Sequence, residues 1–550
     1  MDYQSFLQEK IVSHESSGFE LPLSSISPHL FEWQQLIVRW CLFKGRSAVF
    51  AGCGLGKTPM QLEWARHVCE QTGGKVLILA PLAVAEQTTQ EGKKFDIIVN
   101  KVRSQADIQP GINVTNYEMV EHFDADQFDG IVLDESSILK SFMGKTKRML
   151  IAKFEHVPYK LCCTATPAPN DHVELGTHSE FLNVMSSAHM LSNWFVNDGF
   201  RSGKYRLKGH ARDDFWRWVS TWAVCINRPS DLGYEDGDFE IPELVTHEHI
   251  VGSLAKPKNG KLVDVGKPSA TEMYKELRET AEERTDQAAE IVNASSESWI
   301  VWCNTNHESE LLASKITDAV EIKGSMSNQA KENALNSFVN GETRAMVGKP
   351  SMCGFGLNLQ HCRNMAFVGL SYSFEQRYQA IRRCWRFGQQ RKVNDHVFVS
   401  PKEYKIFRSI KEKESKHQEM EAEMQTNISD FQNLAVESRE IDLEVNPRRY
   451  QNNHWTIIHG DAVESTKQIE PDSMGFSIFS PPFSDLFVYS DSYRDLGNCK
   501  SDKEFFEHFD YLIPELYRVT IPGRLCAVHC SQLPLHKYKH GFTGDISNSV

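Results

Sequence analysis

Residues 47–58 read Ser47-Ala48-Val49-Phe50-Ala51-Gly52-Cys53-Gly54-Leu55-Gly56-Lys57-Thr58, and this stretch decides the fold. Its first half is a short apolar run ended by glycine, the pattern of a buried parallel strand. Its second half is a glycine-rich loop that opens onto a helical segment. Strand, loop and helix in that order bring backbone N–H groups and a helix N-terminus to one point, which suits a phosphate. Gly52, Gly54 and Gly56 let the backbone approach closely. Lys57 would reach the β- and γ-phosphates of a nucleotide such as ATP, and the Thr58 hydroxyl would ligate magnesium. Ala51 stands where the general G-x-x-x-x-G-K-S/T pattern begins with glycine, and an ordinary glycine-rich turn is the competing reading.

Outward from this loop the pattern repeats. Apolar runs at 75–81, 112–117, 128–135 and 159–167 alternate with helical stretches. That alternation predicts a doubly wound α/β sheet. Residues 298–400 repeat the design, with strands expected at 298–304, 344–350, 364–370 and 394–399. An insertion rich in Trp and basic residues lies between, over about 171–243, and a Lys/Gly/Pro-rich stretch at 252–269 reads as a linker or surface hairpin. Residues 402–444 form a charged helical segment running into polar coil, and a third α/β pattern starts at His454. The expected domains are 1–245, 246–405, a helical linker at 406–452, and 453–550.

Composition agrees with a large globular chain. Among 550 residues, 40% are hydrophobic and 24% charged, which excludes a disordered, collagen-like or small disulfide-stapled protein. No apolar run is long enough for a membrane span, and the first ten residues lack a secretory pattern. Thirteen cysteines without a C-x-x-C pair read as reduced thiols in a cytoplasmic protein. The net charge of −13 argues against a uniformly basic coat, although a local basic groove is compatible with it. Residues 136–160 hold six Lys/Arg and one acid, and residues 201–212 hold five Lys/Arg and no acid. Such runs are most simply solvated faces.

The second half of a nucleotide site falls at Asp134-Glu135, the end of an expected strand. Asp134 would hold magnesium and Glu135 would polarise an attacking water as general base. A helix N-cap pair is the competing reading.

These residues, with others in order, resemble the Swi/Snf-type ATPases of helicase superfamily 2 over roughly residues 28–400. Leu30, Trp33-Gln34 and Trp40 look like the family's adenine-recognising element, with Glu32 and Trp33 in place of its Pro and Tyr, and the resemblance implies that Gln34 reads the adenine edge. Ala80-Pro81-Leu82 looks like motif Ia and Thr115-Asn116-Tyr117-Glu118 like motif Ib. Asp134-Glu135 looks like motif II, where Ser136-Ser137 departs from the commoner Ala-His, and Lys140 downstream also fits. The run Thr164 to Asn170 is similar to motif III, Gly354-Phe355-Gly356-Leu357-Asn358-Leu359 to motif V, and Arg228-Pro229-Ser230-Asp231-Leu232 loosely to an element at the end of the first lobe.

Gln379-Ala380-Ile381-Arg382-Arg383-Cys384-Trp385-Arg386-Phe387-Gly388-Gln389 looks like motif VI and is the most specific of these signals. Arg383 and Arg386, three apart, lie on one helix face. Their guanidinium groups would clamp a γ-phosphate across the cleft. The resemblance implies ATP between two RecA-like lobes, with each cycle stepping them along double-stranded DNA. Thr164, Thr166, Gly354, Gly356, Asn358 and Gln379 would couple the site to DNA. Motifs Ia, Ib, III and V and the basic stretch 140–160 would contact backbone phosphates without reading sequence.

Residues 454–531 resemble the start of a permuted DNA amino-methyltransferase. Ile457-Ile458-His459-Gly460-Asp461 precedes a strand ending in Ser480-Pro481-Pro482-Phe483, and the Pro522-Gly523-Arg524-Leu525 run adds to the pattern. In that family such a loop receives a flipped base. Ser480 would accept a hydrogen bond from the exocyclic amine, with cytosine favoured over adenine, and Phe483 would stack on the base. The Phe-x-Gly-x-Gly loop for S-adenosylmethionine is missing after Phe483, so the domain reads as incomplete. A truncated chain, a separate completing chain and a vestigial piece are the three explanations. A motor joined to such a domain resembles phage and mobile-element proteins, in the cytoplasm of a bacterial host or an infected cell.

Three further features have competing readings. Cys526, His529 and Cys530 suggest metal ligands, but strand alternation splits them between faces and a buried strand is the better reading. Adjacent Cys162 and Cys163 read as core. In the Trp-rich insertion, Phe215, Trp218, Val219 and Trp222 fall at helical spacing and read as a core stripe. Trp216, Arg201, Lys204, Arg206 and Lys208 are left as candidate DNA contacts. The competing functions are a methyltransferase whose motor only delivers DNA, and a clamp that binds ATP without hydrolysing it.

Overall fold

The computed structural model describes residues 2–10, 16–140, 144–197, 205–252, 277–350, 359–401, 403–426, 448–482, 492, 494–497, 499 and 502–529. The chain divides into two compact units, one formed by Ser16–Leu182 and Trp222–Gln432, the other by Met1–Glu15, Asn183–Thr221 and Asn433–Val550. This division differs from the boundaries expected above, since N-terminal residues and part of the Trp-rich insertion group with the C-terminal region.

The larger unit is α/β and contains two parallel sheets. The first uses β1 (Arg46–Ala51), β2 (Lys75–Ala80), β3 (Val99–Lys101), β4 (Gly111–Asn116), β5 (Gly130–Asp134) and β6 (Tyr159–Thr164). In the smaller unit, β7 (Phe195–Asn197) and β8 (Tyr205–Leu207) form an antiparallel pair. The chain then returns to the first sheet as β9 (Ala223–Ile226), giving the order β3-β4-β2-β5-β6-β1-β9. The apolar runs are buried on both faces, as helix-covered parallel strands must be. Cys162 and Cys163 are both core.

Strand β9 went unread because it lies inside the Trp-rich insertion, directly after an aromatic helical stripe. Its burial and its parallel pairing with β1 make that end of the insertion part of the sheet.

The second sheet uses β10 (Leu244–Ile250), β11 (Trp299–Cys303), β12 (Ala319–Ile322), β13 (Ala345–Gly348), β14 (Asn364–Val368) and β15 (Val393–Val399), in the order β10-β15-β14-β11-β13-β12. The four expected strands are present. The two edges, β10 and β12, were not expected, because half-exposed edge strands carry polar residues and lack a continuous apolar run. Both sheets thus match the expected pair of doubly wound lobes.

The charged segment expected as a spacer is, over Tyr404–Thr426, a 23-residue helix with a buried stripe at Ile406, Phe407, Ile410, His417, Met420 and Met424. Lys416 pairs with Asp171 and Lys411 with Glu248. The helix therefore braces both sheets' surroundings rather than lying in solvent.

In the smaller unit the helix Arg212–Ser220 buries Phe215, Trp216, Trp218 and Val219. Trp216, left open as a candidate DNA contact, is fully buried and belongs to the core: the helix is covered on more than one side. Lys208 is also buried and donates to the carbonyls of Asn193 (2.8 Å) and Ser192 (3.2 Å), so its charge serves the fold. Arg206 is exposed, and Arg201 and Lys204 lie outside the described residues.

The rest of this unit holds an antiparallel hairpin, β16 (Arg448–Gln451) with β17 (Thr456–His459), and a parallel pair, β18 (Met474–Phe479) with β19 (Thr520–Val528). One face of the parallel pair lies on a core of Phe505, Phe509, Leu512, Val463 and the N-terminal residues Tyr3, Phe6 and Leu7. Phe476, Ile478 and Leu525 are exposed. Cys526 is exposed too, which overturns the buried-strand reading for that residue. Cys530 lies outside the described residues. No group of three metal-ligating side chains occurs among the described residues, and no described helix is long and apolar enough to cross a membrane.

Candidate active site

In a parallel sheet all strands end on one edge. Ala51 ends β1, Ala80 ends β2, Asn116 ends β4, Asp134 ends β5 and Thr164 ends β6, so the residues singled out by sequence converge on one edge of the first sheet.

Lys57 is the first residue of the helix Lys57–Thr72. Its Nζ donates to the carbonyls of Ala51 (2.9 Å) and Gly52 (3.4 Å), so the loop curls around its own lysine. Gly54 (φ +95°) and Gly56 (φ +72°) have left-handed backbones, which glycine accepts without strain. Thr58 is half-buried in the first turn.

Gln34 lies beneath this loop. Its Nε2 donates to the Leu55 carbonyl (2.9 Å) and its Oε1 accepts from the Phe31 N–H (3.0 Å). Both ends of the amide serve the backbone, which differs from the expected adenine-reading role. Around it, Phe239 stacks on Phe387 with ring centroids 4.5 Å apart, and Phe31 and Trp33 meet Phe239 edge-on at 5.1 and 5.5 Å. An aromatic cluster beside the loop was not foreseen, although Phe387 lies within the most specific motif.

Asp134 is buried. Its Oδ1 accepts from Gln61 Nε2 (2.8 Å), and its backbone carbonyl accepts from Tyr117 Oη (2.6 Å). Burial pushes its carboxyl above the usual range, while Gln61 and Lys57 oppose the rise. Glu135 adopts φ +53°, an uncommon conformation for a residue with a side chain. Burial also raises the Glu135 carboxyl, against the pull of Lys57 and Arg383. Thr164 Oγ1 donates to Glu135 Oε2 at 3.4 Å. Ser136 Oγ hydrogen-bonds the buried His178 Nε2 at 3.1 Å.

The second sheet supplies the arginines. Arg383 senses the charge of Glu135, and burial lowers its own pKa. A Cβ placed on Gly54 would lie 3.3 Å from Phe387 Cβ and 3.8 Å from Arg386 Nε, so this arginine stands against the phosphate loop. Arg386 Nε is buried without a hydrogen-bond partner. A cradle of glycine backbone, a lysine and a guanidinium with an unmet N–H fits an oligophosphate. Thr58 and Asp134 offer hard oxygen donors of the kind magnesium takes.

Several expectations change with burial. Thr164 and Thr166 are fully buried, so they reach no nucleic-acid backbone directly, and Thr164 instead touches Glu135. Gln379 is buried as well. Gly354, Gly356 and Asn358 lie outside the described residues, as does Phe483. In the basic stretch, Lys147 pairs with Glu180 (2.8 Å), Lys160 donates to the Phe181 carbonyl (2.9 Å), and Lys140 pairs with Glu375. Half of its six cations therefore serve the fold. Ser480 is exposed at the carboxyl end of β18, with Pro481 buried behind it.

Gln61 and Glu375 were missed. Gln61 sits one turn after Lys57 on the same helix face, a spacing that pointed to it. Glu375 sits one turn before Gln379, but its partners are far away in sequence.

Residues 283–388 match the family described as helicase conserved C-terminal domain. The solved Sulfolobus solfataricus SWI2/SNF2 ATPase core in complex with dsDNA is similar to the chain at 16% identity, covering 73% of this chain and 94% of that one, with a TM-score of 0.35. No curated protein matches the sequence.

Proposed function

We propose that the chain is an ATP-hydrolysing motor that moves on double-stranded DNA. One observation carries this reading: Lys57, Asp134 and Glu135 from the first sheet meet Arg383 and Arg386 from the second at one phosphate-suited loop. A site divided in this way changes when its two halves separate, so cleavage of a bound nucleotide is coupled to motion. The helicase C-terminal match over 283–388 supports the motor assignment and the choice of nucleic acid as the track.

ATP, when bound with magnesium, would supply the anhydride to be cleaved. Lys57 and the loop N–H groups would hold its phosphates, with Thr58 and Asp134 on the metal. Glu135, beside Thr164, would take a proton from water. Arg383 and Arg386 would meet the charge that spreads in the transition state. The buried Thr164 and Gln379 would relay the state of the site without touching DNA.

The test is steady-state ATP hydrolysis with no nucleic acid, single-stranded DNA, double-stranded DNA and RNA, beside Lys57→Ala and Arg386→Ala. Stimulation by duplex DNA, abolished by both substitutions, is the expected result. Absence of hydrolysis under every condition would sink the motor reading and favour an ATP-gated clamp.

A second reading concerns the smaller unit. Ser480 stands exposed where a parallel strand ends, the place an amino-methyltransferase loop requires, and this supports a base-binding segment. Methyl transfer to DNA that is lost in Ser480→Ala would support it. Methyl transfer that is unchanged in Ser480→Ala, or absent altogether, would count against it.

A further inference from the structure

Glu375 ties the second sheet's arginine segment to the loop that carries the acids. It is buried on the helix Phe374–Ile381, whose Phe374, Tyr378, Ala380 and Ile381 belong to the second sheet's core. Its Oε1 accepts from Ser137 Oγ at 2.5 Å, and its Oε2 accepts from Lys140 Nζ. Ser137 and Lys140 lie in the short turn Ser136–Lys140, directly after Asp134-Glu135. The same helix leads into Arg383 and Arg386. One short segment thus holds the motif-II loop at one end and presents guanidinium groups to the phosphate loop at the other.

A nearly buried carboxylate is costly without partners, and here both partners come from the other sheet. The pairing therefore favours the closed arrangement. It also sets the reach of the arginines, because the helix moves with the core into which Phe374 and Tyr378 pack. Ser137 matters in particular, because its hydroxyl donates to the Glu375 carboxylate at this place.

We propose that Glu375 is a positioning residue for hydrolysis, clasping Ser137 and Lys140 so that Arg383 and Arg386 stay against the phosphate loop. This rests on the motor reading above. In the full-length chain, Glu375→Ala and Lys140→Ala should each lower kcat at least about tenfold while the KM for ATP stays within about twofold, since the lost contact acts on geometry rather than on nucleotide binding. The double variant should be no worse than either single variant. The charge swap Lys140→Glu with Glu375→Lys should recover a substantial part of kcat, which a purely structural role would not.

A second measurement needs no catalysis. Ser137→Cys with Glu375→Cys should be joined by a short bifunctional thiol-specific reagent, which spans the gap left where cysteine replaces the longer glutamate side chain. If the wild type hydrolyses no ATP, the motor reading fails and the positioning role fails with it, whatever the cross-link shows. If the wild type is active but the cross-link does not form, or Glu375→Ala keeps wild-type kcat, only the clasp is overturned.

Discussion

Gln61 Nε2 donates to Asp134 Oδ1 at 2.8 Å, with both side chains buried. Burial alone would favour the protonated acid, and this hydrogen bond opposes it. Gln61→Leu should remove that support and shift Asp134 further toward the neutral form. Hydrolysis should then need more magnesium, with kcat down about tenfold or more. Magnesium titrations of the ATPase rate for the variant and wild type check this, and superimposable curves would refute it.

On the proposed motor reading, Glu135 should give ATP hydrolysis a pH limb. Its carboxyl is raised by burial, and a general base must be ionised. The rate should therefore fall as pH drops through a value above the ordinary carboxylate range and level off above it. Glu135→Gln should be slow and flat across that window. A wild-type profile without an acidic limb would remove Glu135 from the base role.

His178 links acid stability to the site. It is buried behind Ser136, and burial holds its pKa down at about 4. The folded-state value lies below the ordinary one near 6.5, so the unfolded chain binds the proton more readily. Stability contributed by neutral His178 is complete above about pH 6.5 and declines as pH falls toward 4, by on the order of 3 kcal/mol. Urea unfolding between pH 7 and 4 should show this decline, and His178→Gln should flatten it.

Gly369 should not tolerate a side chain. Its φ is +80°, and a Cβ there would lie 2.8 Å from Arg284 Nη1 and 2.9 Å from Glu308 Oε1. Arg284, Glu308 and Glu403 form a fully buried ion network that orders the second sheet's core. Gly369→Ala should cost roughly 2–4 kcal/mol through backbone strain and a disturbed buried pair. Denaturant midpoints with unchanged m-values would measure it.

Gln34 separates two roles. If its amide orders the loop, as its bonds to Leu55 and Phe31 imply, Gln34→Ala should raise KM for ATP and GTP alike. Selective loss of preference for ATP would instead restore the base-reading role.

Much of this was legible in the chain itself. The apolar runs and the glycine loop determined two parallel α/β sheets, because buried strands and phosphate loops depend on local spacing. Lys57 was marked by its place after the glycine loop, and Asp134 and Glu135 by their place at a strand end. The sequence also marked Arg383 and Arg386, but the helix ends at Ile381 and both lie in the turns that follow, so they do not share a helix face as expected.

Only the tertiary structure decided which polar groups are used up by the fold. Gln34 is engaged by backbone, Lys147 and Lys160 are buried cations, and Thr164 answers to Glu135 rather than to solvent. Strand β9 and the edges β10 and β12 needed their neighbours to be recognised, since an edge has no apolar period of its own. The pairing of Glu375 with Ser137 and Lys140 spans more than 230 residues. Sequence spacing carries information over a helical turn or a strand, whereas a hydrogen bond across a cleft depends on where two sheets are brought together.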